Sequence, residues 1–191
     1  MSFTQILMLL AIVIALVYLI ILYNNLVQLK HACSKALANI DVLLKQRNDE
    51  LPKLIEVCKR YMSHERETLT DVINARSQAV AAQKSHDMTA VGQAESLLGA
   101  GLGKLFAISE SYPSLQADEV FVDLQERISE LENTISDRRE YYNESVNNNN
   151  VRIAQFPDLI VANMFGFKEF KLLKFEKKEL QNPNMKALFD S

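Results

Sequence analysis

Residues 6–22, ILMLLAIVIALVYLIIL, form an unbroken apolar run, and no Asp, Glu, Lys or Arg precedes Lys30. With Phe3, Thr4 and Gln5 ahead of it, the stretch offers about 20 residues at ~1.5 Å each, enough to cross the ~30 Å hydrocarbon core of a bilayer. A lone segment in lipid must satisfy its own backbone hydrogen bonds, so the expected form is a helix. Tyr18 and Tyr23 suit the headgroup level, and Asn24-Asn25 marks the exit into water. A secretory leader needs a basic start and a small-x-small cleavage site; neither stands here, nor does an early cysteine for lipidation. The expectation is an uncleaved single-pass anchor over residues 1–25, with a buried core helix of a soluble protein as the competing reading.

Lys30 and Lys35 follow the span closely while its front carries no charge. The positive-inside rule then favours a cytoplasmic bulk, with the extracytoplasmic orientation as the alternative. The chain is 48% hydrophobic and has only 5 Gly and 4 Pro, which suits an ordered, turn-poor domain. A net charge of −3 gives no nucleic-acid signature.

Beyond the span, Leu26, Leu29, Cys33, Leu37, Ile40 and Leu44 recur at gaps of three and four, one stripe of a helix. The first helix is therefore expected over residues 3–46, broken at Arg47-Asn48-Asp49. Asp49 suits an N-cap and Pro52 a first turn, opening a second helix over 49–82. A hairpin turning near Asn48 would set Cys33 and Cys58 roughly 7 Å apart along the axis, poor for a disulfide. Two free, buried thiols are expected. After a loop at 82–87, a third helix runs over 88–111 with Leu97, Leu98, Leu102, Leu105, Phe106 and Ile108 as its apolar face. Tyr112-Pro113-Ser114 stops it. The fourth carries Phe121, Leu124, Ile128, Leu131, Ile135, Arg138 and Tyr142 in heptad spacing and ends at the Asn147–Asn150 run or near Gln155, before Phe156-Pro157. Short connections between long amphipathic helices imply an all-α, antiparallel up-down four-helix bundle over 26–157, continuous with the anchor. An apolar and basic membrane-proximal segment at 158–180 and a frayed tail at 181–191 complete the expected organisation.

Several stretches together resemble the LemA family of bacterial membrane-anchored helical proteins. They are Tyr23-Asn24, NIDVLLKQR at 39–47, Leu51-Pro52 with Leu54, Glu56-Val57, His64-Glu65, Ala75-Arg76 and ESYPSLQA at 110–117. The longest is FVDLQERISELENTISDRREYYNESVNNNN at 121–150, followed by Phe156-Pro157 and Phe165-Gly166-Phe167. The resemblance covers roughly residues 23–170. It implies a membrane-tethered antiparallel helical domain at the bacterial inner or plasma membrane, and it implies no reaction, because the family has none assigned. Some relatives begin as lipoproteins, whose sidedness does not carry over to a chain without that cysteine.

Candidate chemistry is sparse. Gly99, Gly101 and Gly103 before Lys104 invite a phosphate-loop reading, but Leu98 and Leu105 stand where that loop needs Gly and Ser or Thr. Small residues that let the third helix pack closely explain the run better. His64-Glu65 starts like a zinc-protease helix, yet Thr68 replaces the second His, and His31 and His86 lie far off. No catalytic, metal or cofactor residue is assigned. Arg138, on the seam, is expected to form an interhelical pair with Asp71 or, second, Glu65, at matching depth about 33 Å from the helix starts. A surface arginine is the alternative.

The fourth helix should return the chain to the bilayer. There, Phe165, Phe167, Phe170 and Phe175 interleave with Lys168, Lys171, Lys174, Lys177 and Lys178, a pattern suited to anionic headgroups. Capping of the bundle by 159–167 is the competing reading. The functional expectation is a non-enzymatic membrane adaptor. Its expected partners are the lipid bilayer and an unidentified membrane protein, with self-association possible through residues 141–150 or the anchor. The alternative is a membrane-shaping module using the anchor and the Phe/Lys segment.

Overall fold

The computed structural model describes residues 2–85 and 87–174, and among them it is all-helical with no strand. The elements are α1 (Phe3–Tyr61), α2 (Arg66–Ser85), α3 (Met88–Ser109), α4 (Pro113–Gln116), α5 (Glu119–Ala154) and α6 (Asp158–Phe165). His86, Phe175, Lys177, Lys178 and the expected tail at 181–191 lie outside the described residues.

The expected break at Arg47-Asn48-Asp49 does not occur: α1 runs through it and carries Pro52 inside the helix. Proline lacks the N–H that would bond the carbonyl four residues back, here that of Asn48. Arg76 on α2 replaces the missing donor, its Nε giving a 2.9 Å hydrogen bond to the Asn48 carbonyl oxygen. Arg47 and Asn48 are themselves buried, at 1% and 3% exposure, so the supposed polar punctuation belongs to the interior. The turn falls instead at residues 62–65, where Met62 is fully buried and the Glu65 amide closes on the Met62 carbonyl at 3.2 Å. The second helix expected over 49–82 is thus divided between the last turns of α1 and α2, and α2 continues to Ser85.

Other boundaries follow local chemistry. Asp87 caps α3 by accepting from the Thr89 amide at 3.0 Å, and Pro113 occupies the first turn of α4. Asp118 caps α5 by accepting from the amides of Val120 and Phe121 at 3.0 and 3.3 Å. Gly166 ends α6 at φ +71°, where the amides of Gly166 and Phe167 both close on the Ala162 carbonyl.

The chain forms two compact units, Met1–Ile40 with Asp137–Leu172 and Asp41–Ser136 with Leu173–Ser191. The second is an antiparallel helical bundle. Leu44, Leu51, Leu54 and Cys58 of α1, Val72 of α2, Leu98, Leu102 and Leu105 of α3, Leu115 of α4 and Phe121 and Ile128 of α5 fill its core. Within it α1 and α5 run in opposite directions: Tyr61 reaches Asp118 at one level, and Arg47 reaches Glu132 an equal step back along each helix. In the first unit the start of α1 packs with the end of α5 and α6, through Leu22, Leu26, Ile153, Val161 and Ala162, with Phe167 against them. Cys33 and Cys58 are both buried and free.

Every side chain from Phe3 to Ile21 is exposed, and Leu22 is the first buried residue of α1. A core helix of a soluble fold would bury such a run. Among the described residues, α1 is the helix long and apolar enough to cross a membrane.

Candidate functional site

The first unit gathers distinctive chemistry where the apolar run of α1 ends. Tyr23, one residue past Leu22, meets Phe165 with ring centroids 4.8 Å apart and Phe167 at 5.9 Å in an edge-on contact. Val161 and Ala162 turn inward onto Leu22 and Leu26, while the opposite face of α6 stays uncovered. Phe156 is 80% exposed, Ile160 57%, Met164 64% and Phe165 56%. Asp158, in the first turn of α6, is buried and accepts from Arg152 Nε at 2.8 Å.

After Gly166 the chain is neither helix nor strand, and such a backbone needs partners for its polar groups. The asparagine run at the end of α5 supplies them. Asn150 holds Phe170 from both sides, Nδ2 donating to its carbonyl at 2.9 Å and Oδ1 accepting from its amide at 3.0 Å. Asn149 donates to the Lys168 carbonyl at 3.5 Å, and the Tyr142 hydroxyl to the Lys171 carbonyl at 2.9 Å. Burial raises the Tyr142 pKa, keeping it a donor. Lys168, Lys171 and Lys174 remain exposed, while Phe167 and Phe170 are half-buried. The Phe/Lys segment is therefore two things, an apolar helical face and a clasped, non-helical basic stretch.

An open groove of ≈ 700 Å³ lies between α1 and α5 of this unit, lined by Asn25, Gln28, Asn147, Asn148, Arg152 and Gln155 among others. Its one lining cation, Arg152, is already committed to Asp158. The groove offers hydrogen bonds to neutral groups.

In the second unit the arginine buried between helices is Arg47. It contacts Glu95 of α3 and donates to Glu132 of α5 at 2.7 Å, with Arg47 and Glu95 side chains each 1% exposed. Burial alone would lower the arginine's pKa, but the two carboxylates outweigh it and hold the guanidinium charged. Burial pushes Glu95 up, opposed by Arg47 and reinforced by Glu132. Among the described residues, Arg47 Nε and Glu95 Oε1 meet no hydrogen-bond partner, which adds to the cost of burying the network.

The expected pair at Arg138 takes a different form. Arg138 is exposed, because from Ile135 the buried stripe steps four residues to half-buried Arg139 and then to Tyr142. Asp71 lies 3.9 Å from Lys104, both more than half exposed, and Glu65 accepts from the Tyr112 hydroxyl at 3.1 Å. The network sequence reading missed had a signal. Arg47 interrupts the stripe Ile40, Leu44, Leu51, Leu54, Cys58, and Glu95 the stripe Val91, Leu98, Leu102, Leu105, each at helical spacing.

Residues 99–104 lie inside α3, where amides are used within the helix and cradle no phosphate. A Cβ on Gly101 would make ordinary contact with Val72, and one on Gly103 would meet nothing within 4 Å. The close approach falls at Gly92, against which the Lys174 carbonyl sits with no room for a Cβ. Cys58 is pushed up to about 11 by burial, and Cys33 is raised for the same reason while its Sγ donates to the Ser145 carbonyl at 3.2 Å.

An exposed apolar helix leading into an antiparallel helical bundle defines the class: a membrane-associated, helical-bundle protein. A model of the LemA family matches residues 36–186, and the chain belongs to that family. Magnetosome proteins MamQ 1 and MamQ 2 of Paramagnetospirillum magneticum are each 24% identical to it over 182 residues, covering 83% of this chain and 67% of the relative. Magnetosome protein MamQ of Magnetospirillum gryphiswaldense is 24% identical over 173 residues, covering 78% of this chain and 64% of the relative. The chain spans about two thirds of the length of these relatives.

Proposed function

We propose that this protein is a membrane-anchored, non-enzymatic adaptor that presents its helical bundle to a protein partner at the bacterial membrane. One observation carries the reading. The buried ionisable groups of the bundle, Arg47 and Glu95, spend their charge on each other and on half-buried Glu132, across three helices. Such a network sets helix register and leaves no acid or base poised toward a substrate. Exposed apolar side chains on the outer faces, Leu97 of α3 and Val120 and Val122 of α5, are where a partner gains most from contact.

The bundle faces the cytoplasm in this reading, from Lys30 and Lys35 after the span. A membrane-impermeant thiol reagent applied to intact cells should then leave a Ser191→Cys variant unlabelled; ready labelling reverses the orientation. For the adaptor itself, full-length protein purified in detergent from native membranes should bring down one stoichiometric partner. Leu97→Glu with Val122→Glu should release that partner without changing the thermal unfolding. Substrate turnover, or a protein that comes out alone, counts against the adaptor. Self-association through residues 141–150, where Tyr141 is 53% exposed, would appear in the same preparation as a second copy.

A second reading, a membrane-organising module acting through the anchor and the Phe/Lys segment, is favoured by the packing of Phe165 and Phe167 on Tyr23. Lys168, Lys171 and Lys174 would meet anionic headgroups. Deformation of liposomes by the purified full-length protein would support it.

A further inference from the structure

We infer that α6 is an interfacial membrane helix, its outer face of Leu159, Ile160 and Met164 embedded in the leaflet from which the span emerges. The inference deepens the membrane contact just proposed and rests on the apolar run of α1 standing in a bilayer. It moves that contact from the lysine-bearing stretch onto residues that the Phe/Lys pattern does not single out.

The first argument is position. Leu22 ends the apolar run, and α6 packs on Leu22 and Leu26 through Val161 and Ala162. Phe165 touches Tyr23, so α6 lies within about one helical turn of the point where the run meets water. The headgroup–acyl boundary, roughly 5–10 Å deep, falls at that level.

The second argument is the face itself. Within α6, Ile160 and Met164 lie four residues apart and Leu159 beside them, on the side turned away from Val161 and Ala162. They are 57%, 64% and 40% exposed, and Phe156 is exposed in the turn just before the helix. From Leu159 to Phe167 there is no ionisable residue, and the Asp158 carboxylate is buried against Arg152. A helix facing water reverses this arrangement, polar outside and apolar inside. Lys168 and Lys171 follow the left-handed Gly166 by two and five residues, exposed on the clasped stretch, in place to meet anionic headgroups. Continuity with the span and these charges select lipid as the occupant of the face.

The test uses full-length protein in proteoliposomes containing anionic lipid. Ile160→Cys, Met164→Cys, Ile14→Cys and Val122→Cys variants each carry an environment-sensitive fluorophore; native Cys33 and Cys58 are buried and stay unlabelled. Lipids with a shallow doxyl group should quench the probes at 160 and 164 more than deep ones do. Ile14, in the middle of the run, should show the opposite order, and Val122 should respond to aqueous iodide alone. If 160 and 164 behave like Val122 while Ile14 is quenched by deep doxyl, the inference is overturned and the anchor stands. If Ile14 also escapes lipid quenching, the anchor reading falls and takes this one with it. Shielding of 160 and 164 from both quenchers means protein covers the face, which likewise overturns a lipid occupant.

Discussion

In the second unit an arginine and a carboxylate are sealed in the interior beside a second, half-buried carboxylate, whereas in the first the polar groups that matter are neutral amides and a phenol closing on non-helical backbone. The difference follows from what each must hold. Four amphipathic helices can slide past one another by a turn without losing much apolar contact. A buried charge with fixed partners on two other helices makes one register far better than its neighbours. The backbone after Gly166 poses another problem, since it lies outside any helix, and Asn149, Asn150 and Tyr142 meet its N–H and C=O groups from side chains. The units also differ in what they leave outside: the first exposes apolar side chains over the whole of residues 3–21 and along α6.

The sharpest way to break the comparison is Arg47→Met, which leaves Glu95 buried without its counter-charge. Urea unfolding should register a loss of about 3–5 kcal/mol. Adding Glu95→Leu should restore most of it, because an apolar pair suits that interior. The deficit of Arg47→Met should also shrink in acid. Glu95 already titrates above its ordinary 4.5 through burial, and losing Arg47 raises it further. A carboxyl whose folded pKa is raised contributes stability that is full below the unfolded value and lost as pH rises through the folded one. A deficit independent of pH would show that Glu95 is not the group left stranded.

Arg76→Leu comes next. It orphans the Asn48 carbonyl that Pro52 cannot satisfy, at a cost of about 1–3 kcal/mol. In a Pro52→Ala background position 52 regains its amide, so the same change should cost much less, a coupling that a double-mutant cycle reads directly. A full cost in both backgrounds would assign Arg76 some other role.

Glycine substitutions separate two kinds of position on α3. Gly92→Ala should destabilise by roughly 1–3 kcal/mol through collision with the Lys174 backbone. Gly103→Ala, with open space around it, should stabilise by about 0.5–1 kcal/mol from helix propensity. The smallest global effect is expected from Asn150→Ala, at roughly 1 kcal/mol per lost hydrogen bond. Its signature is local: hydrogen exchange at the Phe170 amide should accelerate while thermal unfolding of the bundle shifts little.

Much of this architecture was legible along the chain. Phe121, Leu124, Ile128, Ile135 and Tyr142 are buried as their heptad spacing implies, and Tyr112-Pro113 and Phe156-Pro157 bound helices where proline and aromatic punctuation place them. Pro52 misled because proline is a helix breaker only when the orphaned carbonyl finds no other donor, and Arg76, the donor, comes from another helix. Arg138 misled because the stripe on α5 steps from Ile135 to Arg139, a shift of one residue that spacing alone does not resolve. The asparagine run looked like an oddity because its partners, the backbone groups of residues 168 and 170, carry no sequence signature at all.

By itself, then, the sequence determined the helices, the apolar run and the faces that turn inward, since these depend on periodicity and hydrophobicity within one segment. Tertiary structure decided where α1 ends, that Arg47 is buried, that Gly92 has no room for a Cβ and that α6 turns an apolar side out beside Tyr23. Each of those outcomes is settled by a group far away in the chain supplying, or failing to supply, a hydrogen bond, a counter-charge or a covering surface.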